Sequence, residues 1–332
     1  MKDLAAKTGL GLATISKYVN GGRVKEKNRI VIEQAIEELD YTVNEIARGL
    51  KTNQTRTIGV VVPEFTSLFC MTIVSVIEDI LRENGYAALV CDCRSDTDIE
   101  AETVSFLLHK KVDGIISIPV SQNSRHLDKT VEKGLPVVLI DRYMDGLNCD
   151  TVLIDNISAV KSGVDLFLSN GHSEIAVICG PQDVFTSQQR LLGYRQALLE
   201  RGITPNENYI SYGNYSVEGG FAAMKQLIEQ NLHNRITALF VTNYEMTLGV
   251  IIALNELGLS IPVDLSVVGF DNQELAMVVK PRLTVLSQPL KEMGSQAAAF
   301  MMERLANKAP SPPRIARLST TLIEGESIRK LK

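Results

Sequence analysis

The chain has 332 residues, 45% apolar and 22% charged; this is ordinary globular composition with room for two or three domains, and it excludes disordered and collagen-like chains. The net charge of −5 argues on its face against a nucleic-acid partner. It is unevenly spread, however: residues 1–56 hold ten Lys and Arg against seven Asp and Glu, and residues 57–332 hold 24 against 32, which is how a basic nucleic-acid-binding module looks when joined to an acidic body.

The head begins DLAAKTGLGLATISKYVN. The pattern predicts a short helix over 3–8, with Leu4 and Ala5 facing inward, and a second over 12–19, with Ile15 and Val19 on one face. Gly9 between them suits the left-handed conformation that ends a helix and turns the chain. Ala5, Gly9 and Ile15 have helix-turn-helix spacing: a small residue where helices cross, a glycine in the turn, a branched residue in the core behind the second helix. A third amphipathic helix is expected over 30–39, with Ile32, Ile36 and Leu39 as its apolar stripe. Arg23, Lys25, Lys27 and Arg29 in the connection suit phosphate contacts, with the second helix in the major groove. That helix would offer Leu12, Ala13, Ser16 and Lys17 to base edges; Lys17 can donate to guanine, and Leu12 or Ala13 can touch a thymine methyl. Residues 44–51, NEIARGLK, form a short helical segment with Asn44 as N-cap. Leu50 reads either as a packing residue of the linker or as an apolar wedge into the minor groove.

These segments, DLAAKTGLGLATISKYVNG and LDYTVNEIARGLKTNQTRTIGVVVP, resemble the start of a LacI-type (LacI/GalR family) transcriptional regulator. The resemblance implies a helix-turn-helix head, a hinge helix containing Ala-Arg-x-Leu, and a periplasmic-binding-protein-like body; Leu50 falls on the hinge leucine that intercalates at the operator centre. Pattern and resemblance together make Leu12, Ala13, Ser16, Lys17, Asn20, Arg29, Asn44, Ala47, Arg48 and Leu50 the expected DNA contacts. Three positions depart from the family: Gly11 stands where a Ser or Thr caps the recognition helix, which weakens that cap; Asn28 replaces the threonine that opens helix three and can still cap it; Val43 replaces a hinge-entry proline.

From residue 57 the pattern changes. Apolar runs at 58–62, 88–90, 114–118, 136–140, 175–179, 237–241 and 265–269 read as strands, with helices expected at about 70–84, 97–110, 157–170, 186–201, 217–230 and 244–257. Gly85, Gly134, Gly171, Gly202 and Gly258 stand at helix ends. Continuous apolar strands mean sheets covered on both faces, hence parallel α/β architecture. The count allows two doubly wound subdomains, about 57–154 with 290–314 and about 155–289 with 315–332, the chain crossing near 153–156, 286–290 and 310–315. Residues 313–332 contain a strand-like run and no leucine heptads; relatives with such a repeat can tetramerise through it, so a homodimer is expected, as a pseudo-palindromic operator requires.

Ligands in such folds bind at the carboxyl ends of strands or between domains. There the chain sets Ser67, Phe69, Asp141, Thr186, Arg190, Tyr215, Asn243, Asp271 and Gln288. Carboxylates, amides, one guanidinium and an aromatic face suit a polyhydroxylated effector, a sugar or sugar derivative. The family resemblance places effector contacts at Arg190 in RLLGY, Asn243 in NYEMTLG and Asp271 in VVGFDN, with the others on looser pocket positions. The Arg–Asp pair also suits a sugar acid.

No P-loop or nucleophile elbow is present, and the four histidines lack ligand spacing, so neither an enzyme nor a cofactor or metal is expected. Five cysteines without Cys-x-x-Cys read as buried thiols in a reducing compartment. The N-terminus has no secretory signal and no run reaches membrane-spanning length; with the basic head, this argues against a sugar-transport protein, so a cytoplasmic regulator is the expectation, and repression its expected mode.

Overall fold

The computed structural model describes residues 1–19, 22–41, 54–123, 125–231, 236–271 and 273–331. It divides into two compact units, 1–56 and 57–332.

In the first unit, helices α1 (Lys2–Thr8), α2 (Leu12–Val19) and α3 (Glu26–Glu38) enclose a small core of Leu4, Ile15, Ile32 and Ala35. Gly9 ends α1 with a φ of 66°, and its N–H donates to the Ala5 carbonyl; a Cβ here would strain the turn. Two expectations for α3 need correcting. The helix opens at Glu26, with Lys25 in the cap position and no side-chain cap, so Asn28 lies inside the first turn. Leu39, expected on the apolar stripe, follows the last helical residue and is 41% exposed; Ala35 takes the buried place.

The second unit holds two six-stranded sheets of like order. The first runs β11-β5-β4-β3-β1-β2, from β1 (Thr57–Val62), β2 (Ala87–Asp92), β3 (Gly114–Ser117), β4 (Val137–Ile140), β5 (Asp150–Ile154) and β11 (Ile315–Leu318). The second runs β12-β10-β9-β8-β6-β7, from β6 (Ile175–Cys179), β7 (Ile210–Tyr212), β8 (Ala238–Val241), β9 (Ser266–Phe270), β10 (Thr284–Ser287) and β12 (Thr321–Ile323). Every pairing is parallel except β10 with β12. Central strands such as Val137–Ile140 and Ala238–Val241 are buried throughout, because helices cover both faces. Equal strand order makes β4 of the first sheet correspond to β9 of the second, and β5 to β10.

The chain crosses between sheets after β5, after β10 and after β11. The third crossing lies beyond Leu318, later than the expected 310–315, and residues 315–318 belong to the first sheet. The reason is local: Ile315–Leu318 pair with Thr151–Ile154, and the Arg314 N–H donates to Asp150 Oδ1 at 2.7 Å. The sequence reading also passed over β5, β10 and the helix Leu290–Leu305, whose Met293, Ala297 and Met301 are buried at i, i+4, i+8. That helix packs back on the first sheet and so carries the second crossing.

Cys70, Cys93, Cys149 and Cys179 are buried and Cys91 is half-buried. Burial pushes the Cys70 thiol up to about 11 and those of Cys93, Cys149 and Cys179 to about 12, so they stay protonated and inert. Among the described residues no helix is long and apolar enough to cross a membrane, and no group of three His, Cys, Asp or Glu could hold a metal ion.

Candidate functional site

Helix α2 turns Ile15 inward and leaves Leu12, Ala13 and Lys17 exposed, with Ser16 half-buried. The four residues expected to face base edges therefore stand on the outer side of the helix. Arg29, expected on phosphate, is instead held by carboxylates of its own helix, 2.5 Å from Glu26 and 3.1 Å from Glu33. Glu33 also accepts the Tyr18 hydroxyl at 2.6 Å. Arg29 is itself exposed, as are Arg23 and Lys25 in the connection and Lys27 in the first turn of α3. Asn20, Asn44, Ala47, Arg48 and Leu50 lie outside the described residues, as does Val43.

Gly11 precedes α2 and its carbonyl accepts the N–H groups of Thr14 and Ile15. A Cβ at Gly11 would meet nothing within 4 Å. Gly11→Ser is therefore expected to supply the missing cap and stabilise the head by a few tenths of a kcal/mol. Thermal melts of the head should rise; an unchanged or lower midpoint would refute the cap.

In the second unit, a cavity of about 900 Å³ opens at the carboxyl ends of the strands of both sheets. Eight of the nine expected effector residues line it: Ser67, Phe69, Asp141, Thr186, Arg190, Tyr215, Asn243 and Gln288. Asp271 lines an adjoining cavity that shares Phe69 and Gln288, and it accepts the Gln288 Nε2 at 2.7 Å. Most of these side chains stand at or near an element boundary. Asp141 follows β4 and Asp271 follows β9, at corresponding points of the two sheets. Both have positive φ, 67° and 64°, and both N–H groups donate to the neighbouring strand, to Val152 and Leu286. Backbone conformations of this kind persist where surrounding structure holds them, often at functional sites.

Arg190 stands in the second turn of the helix Phe185–Glu200 and is 4% exposed. Its Nε donates to Asn156 Oδ1 at 2.7 Å and its Nη1 to the Thr242 carbonyl at 2.6 Å, and its guanidinium lies 4.1 Å from the centre of the Phe270 ring. Asn243 caps its helix by accepting the Met246 N–H, and its Nδ2 donates to Glu245 Oε2 at 2.6 Å. Tyr215 hydrogen-bonds Thr186 across 3.1 Å, and its ring covers Gly180 so closely that a Cβ there would fall 2.1 Å from the ring. Among the described residues three bonds span the cleft from one sheet to the other: Ser67 Oγ to Glu245 Oε1 at 3.4 Å, and Gln122 Nε2 to Gln188 Oε1 at 3.1 Å and to the Asp183 carbonyl at 3.4 Å.

Sequence reasoning missed Glu64, Arg142 and Glu245, which line the cavity, and Asn156, which orients Arg190. Arg142 and Glu245 stand one and two positions from expected residues, so the strand-end rule would have reached them. Asp271 is 7% exposed, and its carboxyl is pushed up to about 7, chiefly by burial; Arg190 and the Gln288 amide oppose this, while Asp141 and Glu245 add to it.

Residues 1–44 match the family described as "Bacterial regulatory proteins, lacI family", and residues 164–328 match "Periplasmic binding protein-like domain". The probable HTH-type transcriptional regulator EndR of Paenibacillus polymyxa is 33% identical over the whole chain and 98% of its own length. The chain belongs to the lacI family of bacterial regulatory proteins. It is accordingly a DNA-binding transcriptional regulator and not an enzyme, with a ligand-binding body. Catabolite control protein A of Priestia megaterium is 32% identical, over 95% of both chains. Among solved structures of the lacI family, the lac repressor dimer bound to operator and the anti-inducer ONPF superposes with a TM-score of 0.87 at 26% identity, over 98% of both chains. The regulator CelR in complex with cellobiose gives 0.75 at 29% identity, also over 98% of both.

Proposed function

We propose that this lacI-family regulator is a cytoplasmic, homodimeric repressor whose operator binding is controlled by a small polyhydroxylated effector, a sugar or sugar derivative, in the cleft of the body. The observation that carries the reading is the convergence of eight expected side chains, from strand ends and the helices that follow, on one cavity between two sheets, in a chain headed by a helix-turn-helix unit. The similarity to a cellobiose-bound regulator and to an operator-bound repressor dimer supports it. The two heads of a dimer read half-sites of a pseudo-palindromic operator through Leu12, Ala13, Ser16 and Lys17, with Asn20 and Arg29 beside them. The hinge residues Asn44, Ala47 and Arg48 approach the minor groove, and Leu50 wedges into it. Effector binding across both sheets favours one arrangement of the body and so shifts the population of DNA-competent dimers.

A mobility shift on genomic fragments, with and without sugars, tests the whole reading; absence of binding at low salt would sink it. Lys17→Ala is expected to change which sequence is preferred in a selection from random duplexes. Uniformly weaker binding with unchanged preference would make Lys17 a phosphate contact.

A further inference from the structure

We propose that the effector carries a positively charged amine, and that the cleft is built for an amino sugar or a similar polyhydroxylated amine, its ammonium held by Asp141 and Gln288. The inference rests on the body cleft being the effector site.

The charge lining the cavity is one-sided. Glu64, Asp141 and Glu245 line its inner part, and Asp96, Asp183 and Glu218 stand exposed at its rim. The only cations among the described lining residues are Arg142 and Arg190. Both are partly engaged: Arg142 Nη1 donates to the carbonyls of Pro119 and Val120 at 2.9 and 3.4 Å while its Nε has no hydrogen-bond partner, and Arg190 is tied to Asn156 and Thr242. A cleft lined by excess carboxylate focuses a negative potential, which concentrates cations and repels anions. A sugar acid or sugar phosphate would meet that field with only the unbonded guanidinium nitrogens of Arg142, whose Nε has no hydrogen-bond partner, and of Arg190.

Two buried acceptors are without partners. Asp141 is 5% exposed and its Oδ1 has no hydrogen bond; its Oδ2 lies 3.7 Å from Arg142 Nε, too far for one. Gln288 is 7% exposed; its Nε2 is spent on Asp271, which leaves Oε1 as an unpartnered acceptor. The first belongs to the first sheet and the second to the other, so a donor that satisfies both also joins the two sheets. An ammonium brings several donors and the charge that the field calls for. A hydroxyl brings one donor and no charge.

The test is thermal stability and calorimetric titration of the full chain at pH 7 with matched sets in the glucose, galactose and mannose series: the neutral sugar, the amine, the N-acetylated amine and the uronate. One amine should raise the melting temperature and bind about ten- to a hundredfold more tightly than its neutral and N-acetylated counterparts, the range expected for a buried charged hydrogen bond; the uronate should not bind. Asp141→Asn tests the assignment within the site, because asparagine tolerates a positive φ and so keeps the backbone. It should bring amine and neutral sugar to equal affinity. If a neutral sugar or a uronate binds at least as well as its amine, the charge assignment falls and the effector reading stands. If no member of any series binds, both fall for these sugars.

Discussion

Asp150→Ala is expected to cost about 3–5 kcal/mol of stability, a drop of roughly 5–15 °C in melting temperature, without touching either proposed site. Asp150 is 1% exposed at the start of β5 and takes a two-pronged bond from Arg304, at 2.8 and 2.9 Å. It also accepts the Arg314 N–H at 2.7 Å and the Arg314 guanidinium at 3.2 Å. Arg314 in turn lies 3.8 Å from the Phe300 ring centre and pairs with Glu303 at 2.6 Å. One carboxylate thus joins β5, the helix Leu290–Leu305 and the entry to β11. Removing it leaves two guanidinium groups facing each other without their shared counter-ion, and that loss outweighs the relief of desolvation. Burial pushes the Asp150 carboxyl up, but the hydrogen bonds from Arg304 and Arg314 outweigh burial and hold it at about 2. Since the folded value lies below the unfolded one of 3.8, this stability is present above about 3.8 and is lost as pH falls toward 2. Melts at pH 7 and across pH 2–5 check both points. A loss below 1 kcal/mol at pH 7, or an unchanged acid transition, would show that the clamp contributes little.

Arg190→Ala is expected to abolish the effector response and to make stability fall more steeply at alkaline pH. The guanidinium is the principal positive charge opposing the rise of the Asp271 carboxyl to about 7. A folded value raised above the unfolded 3.8 means that the folded state holds a proton the unfolded chain releases. The corresponding stability is fully present below about 3.8 and is lost as pH rises through about 7. Without Arg190 the carboxyl climbs further. Below pH 7 Asp271 is largely protonated in both proteins, so its share of the deficit is small; above pH 7 the variant alone must bury the unopposed carboxylate or protonate it. The deficit should therefore grow by on the order of 1 kcal/mol per unit of added pKa shift. Adding Asp271→Asn should remove that growth, since the amide carries no charge. Melting temperatures of wild type, both single variants and the double variant between pH 5.5 and 8.5 decide it. A deficit that does not depend on pH would uncouple the two residues.

The proposed amine gives Asp271 a further role. The carboxyl hydrogen-bonds the same Gln288 amide whose oxygen is left for the ligand. Its ionised form orients that amide with Nε2 toward Asp271 and Oε1 free. Effector binding and Asp271 ionisation are then linked, each favouring the other.

Much of the site was legible because function and local pattern coincide. Asp141, Asn243 and Asp271 each follow an apolar run read as a strand, and strand ends are where an α/β fold keeps ligands. The outward face of α2 was legible from the inward Ile15, since residues away from it on a helix turn outward. Arg29 has a further side that its basic character alone left unread: Glu26 and Glu33 at i−3 and i+4 pair with it in the free protein. Both acids are in the sequence, and the helix spacing that joins them could have been applied. The helix Leu290–Leu305 was also within reach of periodicity. The clamp at Asp150 was not, because its arginines stand 154 and 164 residues away.

The amino-acid order by itself determined the two units, the type of most elements, the turn at Gly9 and the polar strand ends, since these follow from periodicities and propensities acting over a few residues. Only the tertiary structure decided that Ile315–Leu318 joins the first sheet, that Asn156 and Thr242 pin Arg190, and that Asp141 and Gln288 keep free acceptors in a cavity of excess negative charge. Those outcomes depend on which distant groups meet and which are excluded from water. Hydrogen-bond satisfaction and desolvation are settled between residues far apart in the chain, where local pattern carries no information about pairing.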